Sequence, residues 1–144
     1  ARLAPRPVQA RVPLWIGGVG ERRTARIVAR HADGWNLPFV APEAVAAKRS
    51  VLADHCAAVG RDPADIRLGV NVALCDDDDS LAAQFGPRAD AIRPGAVVGT
   101  SVQHTTELLG RYVAAGADVV TVALRAPWDP GALERAAAAV AQLG

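Results

Sequence analysis

Four short apolar runs alternate along the chain with longer segments whose apolar positions recur at helical spacing. Val12–Ile16 is followed by glycines at 17, 18 and 20 and reads as a buried strand. Over Glu21–Ala32, Ile27, Val28 and His31/Ala32 share a helical face, with Thr24 one turn earlier. Gly34–Val40 (GWNLPFV) predicts a second strand, which Pro38 confines to its first residues. Pro42 opens a helix predicted to run to Val59, with Val45, Leu52, Cys56 and Val59 on one stripe and Gly60 as its cap. After the turn Arg61–Asp65, Arg67–Cys75 (RLGVNVALC) is a third strand. Asp76–Gly99 is the least regular stretch, with a short helix near Ser80–Phe85. Thr100 and Gln103 match a capping box that opens a helix to Ala115, capped by Gly116. Val119–Leu124 (VVTVAL) is continuous and β-branched, as buried parallel strands are, and Asp129-Pro130 opens a last helix reaching Gly144.

Strand followed by helix, four times over, implies an α/β fold with a parallel sheet and right-handed crossovers. Four such units make either a small open sheet or half of a (β/α)8 TIM-type barrel, for which about 250 residues are typical. Periodicity does not choose between them. A small flavodoxin-like domain is a third architecture, with its phosphate loop after the first of five strands. Residues 1–11 are Pro- and Arg-rich and read as an irregular connector, leaving 12–144 as a single segment of four β/α units.

Composition narrows the classes of function. A net charge of +1 gives no electrostatic case for nucleic acid or an anionic membrane, and no apolar run reaches membrane-spanning length. Cys56 and Cys75 form no CxxC pair, which favours a reducing, cytoplasmic setting. The chain has no HxxxH or HExxH pattern, so no metal site is predicted, and Asp76–Asp79 is expected to cap a helix. His31 and His55 fall at helix positions facing the sheet, and His104 is expected to be exposed. Trp15 and Trp35 read as core.

Candidate chemistry concentrates in WIGGVGERRT (15–24). Gly17, Gly18, Val19 and Gly20 lie between a strand and a helix start, where backbone amides can meet an anion, with Thr24 and Arg22 or Arg23 as added donors. A tight strand-to-helix turn needs glycines in any case, so the motif alone leaves both readings open. Asp33 suits a turn or helix end. Asn36, Pro38 and Phe39 lie toward the exit end of the second strand as candidate substrate lining. Arg125, directly after the fourth strand, suits a phosphate or carboxylate, or alternatively solvent or a pair with Asp129.

VPLWIGGVGERRTARIVARHADGWNL (12–37), HCAAVGRDPADIRL (55–68), VVGTSVQHTTELLGRYVAAGAD (97–118) and VVTVALRAPWDPGALERAA (119–137) together resemble the luciferase-like monooxygenase family, in particular its deazaflavin-dependent branch. The resemblance implies an eight-stranded barrel with coenzyme F420, or alternatively FMN, at its C-terminal mouth. It implies that Gly17, Gly18, Val19, Gly20, Arg23 and Thr24 contact the cofactor, and that a small organic substrate lies nearby. The matched segments belong to the family's strands five to eight, so the chain is expected to supply the C-terminal half and to be inactive alone. Its expected partner is an N-terminal half-barrel carrying the acid–base residues. The alternative is a non-catalytic half-barrel module that closes its sheet by self-association. Ser101 departs from the family, which more often has Pro there.

Overall fold

A computed structural model describes residues 4, 8, 9 and 11–143 of the chain. The connector expected over residues 1–11 therefore falls largely outside the described residues, as does Gly144. The elements are β1 Trp15–Gly17, α1 Thr24–His31, β2 Gly34–Pro38, α2 Pro42–Ala57, β3 Arg67–Cys75, α3 Asp78–Phe85, α4 Ala89–Ile92, β4 Ala96–Val98, α5 Val102–Ala114, β5 Val119–Ala123 and α6 Pro130–Leu143.

All strand pairs are parallel. β1 pairs with β2, and β2 pairs with β3 from Arg67 to Asn71. β5 lies on the other edge of β3, from Gly69 to Ala73. Ala73 is matched to both Ala96 and Ala123, so β4 continues past the end of β2 on β2's own edge. The spatial order is β1-β2-β3-β5, with β4 as a short extension beside the end of β3.

The period-2 alternation of the strands sorts side chains onto two unlike faces. Trp35, Leu37, Leu68, Val70, Val72, Leu74 and Val97 point to one face and are closed over by apolar residues of α1, α2, α5 and α6, including Val28, Leu52, Leu109, Tyr112 and Ala136. On the opposite face, Ala73 and Cys75 are covered by Leu81, Phe85 and Ile92, which come from the α3–α4 excursion. That excursion covers only the C-terminal ends of the strands. Trp15, Arg67 and Thr121, lower on the same face, remain exposed.

Several boundaries differ from the sequence pattern for identifiable reasons. β1 starts three residues later than Val12 because Leu14 is engaged by Asp33 and Gly34: its amide donates to Asp33 Oδ2 at 2.7 Å and its carbonyl accepts from the amides of Asp33 and Gly34. Asp33 thus ties down a turn, as expected. β4 is absent from the pattern because three residues give no measurable period. α5 is capped by Ser101, not Thr100: Ser101 has extended backbone and its hydroxyl accepts from the His104 amide at 3.3 Å, while Gln103 reaches forward to Glu107. The acidic run behaves as predicted, since Asp77 and Ser80 satisfy each other's amides at the start of α3. Val59 and His31 are exposed, contrary to their predicted inward positions; α2 ends at Ala57, before Val59, and His31 is the last residue of α1.

Trp15 also departs from its expected core position. Its ring lies over Gly34 and Gly69 on the open face and is 39% exposed; a Cβ on either glycine would fall 2.4 or 2.8 Å from it. The Arg67 guanidinium stands 6.0 Å from its centre. Two glycines on neighbouring strands create the bed into which the indole sinks.

Candidate functional site

The loop Gly17–Arg23 leaves the C-terminal end of β1 and enters α1. Gly18 has φ +129°, a conformation that an L side chain strains to adopt, and its amide donates to Asn36 O at 3.0 Å. A Cβ at Gly20 would lie 2.8 Å from Thr24 Oγ1, so the Thr24 hydroxyl folds back over the loop into space that only glycine leaves. Gly17, Gly18, Val19, Gly20, Arg23 and Thr24, singled out from sequence, are therefore brought together on one turn.

Three donors hold this loop from behind. Trp35 Nε1 donates to the Gly18 carbonyl at 2.7 Å. Lys48 Nζ donates to the Val19 carbonyl at 2.8 Å and to Glu21 Oε1 at 2.8 Å. His55 Nε2 lies 2.7 Å from the Glu21 carbonyl, and because a carbonyl only accepts, Nε2 carries the hydrogen. A trans peptide points its C=O and its N–H to opposite sides. With the carbonyls of residues 18, 19 and 21 turned toward β2 and α2, the amides of Val19, Gly20 and Arg22 turn the other way. Among the described residues none of those three amides meets a backbone carbonyl. The start of α1 adds to this: it has no side-chain cap and no acidic residue in its first turn. The result is a cradle of unpaired N–H groups at the positive end of a helix, the arrangement that receives phosphate or carboxylate.

The substrate candidates divide. Asn36 and Pro38 lie on the open face of β2, with Asn36 Oδ1 beside Gly69. Phe39 takes a left-handed backbone (φ 53°) and meets Phe85 edge-on, ring centres 5.5 Å apart. The Arg125 guanidinium stacks 4.9 Å from the same Phe85 ring. Arg125 forms no ion pair with Asp129, whose Oδ1 accepts from the Gly131 amide instead. Gln84 completes this corner: its amide nitrogen donates to Cys75 Sγ at 3.5 Å, and its oxygen accepts from the Arg125 amide at 3.0 Å. Sequence reasoning found Phe39 and Arg125 but not Phe85 and Gln84, because α3 carries no ligand-like motif. It missed Lys48 and His55 too, although Lys48 is the sole lysine beside fifteen arginines.

Titration marks structural groups. Burial, reinforced by Asp76 and Asp77, pushes the Cys75 thiol up to about 11, which makes it a poor nucleophile. Burial likewise raises the Cys56 thiol. The Leu14 amide, and then Arg11 against an opposing desolvation, hold the Asp33 carboxyl below its ordinary value. Among the described residues no cluster of three or more His, Cys, Asp or Glu forms a metal site.

A one-layer arc of parallel strands, backed by helices and with a glycine loop where its first strand ends, defines an α/β fold of alternating strand–helix units. The chain belongs to the luciferase-like monooxygenase family, whose model matches residues 1–142. Among solved structures it is similar to an F420-dependent secondary alcohol dehydrogenase in complex with an F420-acetone adduct, at 16% identity and TM-score 0.68, covering 85% of this chain and 46% of that one. It is also similar to a coenzyme F420-dependent tetrahydromethanopterin reductase from Methanopyrus kandleri, at 13% identity and TM-score 0.60, covering 88% and 48%. A long-chain alkane monooxygenase aligns at 12% identity and TM-score 0.65, covering 90% and 40%. The chain thus spans about half the length of the first two, and the parallel strand–helix fold expected from sequence is borne out. No curated protein matches the sequence.

Proposed function

We propose that this chain forms the C-terminal half of a flavin- or deazaflavin-dependent oxidoreductase barrel and holds the phosphate end of the cofactor at Gly17–Thr24. Coenzyme F420 is the preferred cofactor, with FMN as the alternative. The single observation behind this reading is the set of carbonyls tied back by Trp35, Lys48 and His55, which leaves the amides of Val19, Gly20 and Arg22 for an anion. Thr24 and Arg23 stand at the helix start beside them.

When bound, such a cofactor supplies the redox chemistry, exchanging a hydride with a substrate or activating oxygen. The chain's own residues then bind and orient. The cradle fixes the phosphate, while Asn36, Pro38, Phe39 and Arg125 line one wall for a small organic substrate. Phe39 and Phe85 pack over the strand ends there, with Arg125 stacked on Phe85. Fluorescence titration of F420 and FMN against the wild type and Gly18→Val tests this; equal affinity in both proteins removes the loop from the site.

A second reading, a half-barrel that closes on another copy of itself, is favoured by the open face bearing Trp15 and Thr121 and by outer edges of β1 and β5 that pair with no strand among the described residues. Light scattering separates the two: a stable dimer supports self-closure, and a folded monomer counts against it.

A further inference from the structure

Phe39 breaks the alternation of the strand it follows. On β2, Trp35 and Leu37 point to the helix-covered face and Asn36 and Pro38 to the open one, so residue 39 is due on the helix-covered face. Its ring is instead on the open face, packed against Phe85, and the next residue, Val40, enters the helix-side core in its place. A left-handed backbone makes this exchange. Phe39 alone among the described non-glycine residues has a positive φ, 53°. A bulky aromatic residue keeps that conformation only where its surroundings impose it.

Three contacts impose it here. The Phe39 amide donates to the Asn71 carbonyl at 3.0 Å. Gly95, just before β4, lies so close to the Phe39 carbonyl carbon that a Cβ would have no room. The third contact comes from behind the sheet: the hydroxyl of Tyr112, a residue of α5 that is 1% exposed, donates to the Val40 carbonyl at 2.8 Å. That bond fixes the peptide directly after the reversal. We propose that Tyr112 is a positioning residue of the substrate wall: by holding Val40 from the helix side, it keeps Phe39 left-handed and its ring on the open face. This rests on the reading of that wall given above, and it adds a selectivity. The Phe39 ring fills the space beside Phe85 at the end of β2, so the substrate is small where it meets that end.

NMR of the wild-type chain, Tyr112→Phe, Phe39→Gly and the double variant tests this. In the wild type, the Phe39 ring should show NOEs to Phe85 and none to Leu37. Tyr112→Phe keeps the apolar packing, yet it should weaken those NOEs and speed amide exchange at position 39 on the order of tenfold. In the Phe39→Gly background the same substitution should change that exchange by less than about twofold, because glycine holds a positive φ unaided. Equal acceleration in both backgrounds would mean that the bond merely docks α5, and it overturns the proposal. Benzene probes the selectivity: it should shift the Phe85 ring signals saturably in Phe39→Gly and not in the wild type. An equal response in the two proteins, including none in either, or a response at Leu37 in place of Phe85, also overturns it. Silence of the Val19 and Gly20 amides toward inorganic phosphate would overturn the cofactor reading instead, whatever Phe39 does.

Discussion

The indole of Trp35 donates to the carbonyl of Gly18 at 2.7 Å, seventeen residues away, and so couples the interior of β2 to the glycine loop that leaves β1. Trp35 is fully buried, so its ring is fixed and the loop carbonyl is fixed with it. Trp35→Phe keeps most of the apolar packing but leaves the Gly18 oxygen without that donor. A loss on the order of 1 kcal/mol from the hydrogen bond, plus a smaller packing loss, is expected. Denaturant midpoints give the stability change. Faster amide hydrogen exchange at Gly18–Glu21 should accompany it, and unchanged exchange would mean that the bond does not restrain the loop.

Lys48 restrains the same loop from α2. Lys48→Met removes the donor to the Val19 carbonyl and is expected to cost about 1 kcal/mol. Because both residues act on one short turn, the effects of Lys48→Met and Trp35→Phe should not add. A double-mutant cycle measures the coupling. Strict additivity would show that the two donors hold the loop independently.

Alkaline pH should destabilise the fold through Cys75. Its thiol is pushed from 9.0 to about 11 by burial, so between these values the unfolded chain sheds a proton that the folded chain keeps. Folding stability is then fully present below about pH 9 and falls as pH rises toward 11, by on the order of 2 kcal/mol. Cys75→Ala should flatten this part of the pH–stability curve. The native thiol should resist a disulfide reagent at pH 8; rapid labelling without unfolding would show that the α3 cover is open.

Asp118 governs the acid side. Burial opposes its charge, but the Leu68 amide at 2.7 Å and Arg49 at 2.8 Å prevail and hold the carboxyl below its ordinary value. Its contribution is present above the ordinary carboxylate range and is lost as pH falls through the lowered value. Asp118→Asn should therefore give a protein whose stability changes less on acidification. Acid-titration profiles that superimpose with the wild type would remove Asp118 from this role.

The helices and long strands were legible where a local signal marks them: the alternation along β3, and the prolines, Pro42 and Pro130, that open α2 and α6. Legibility failed where a partner distant in sequence decides the outcome. β4 exists only because the end of β3 offers an unpaired edge beyond Pro38. Trp15 reads as core because its ring is apolar, yet the sheet turns it to the open face, where Gly34 and Gly69 bed it. In the site, glycines mark the loop in the sequence itself, so the cradle was visible. The residues that aim its amides, Trp35, Lys48 and His55, lie 17, 29 and 34 positions from the loop atoms they bind, and nothing local advertises them.

The most direct test is to compare FMN with riboflavin, which differ by the phosphate alone, in an amide NMR titration of the chain. FMN should perturb the amides of Val19, Gly20, Arg22 and Thr24 saturably, and riboflavin should leave them unmoved. Gly18→Val should abolish the FMN response. If both ligands perturb the loop alike, or if FMN perturbs other regions and spares these four amides, the cradle does not hold a phosphate.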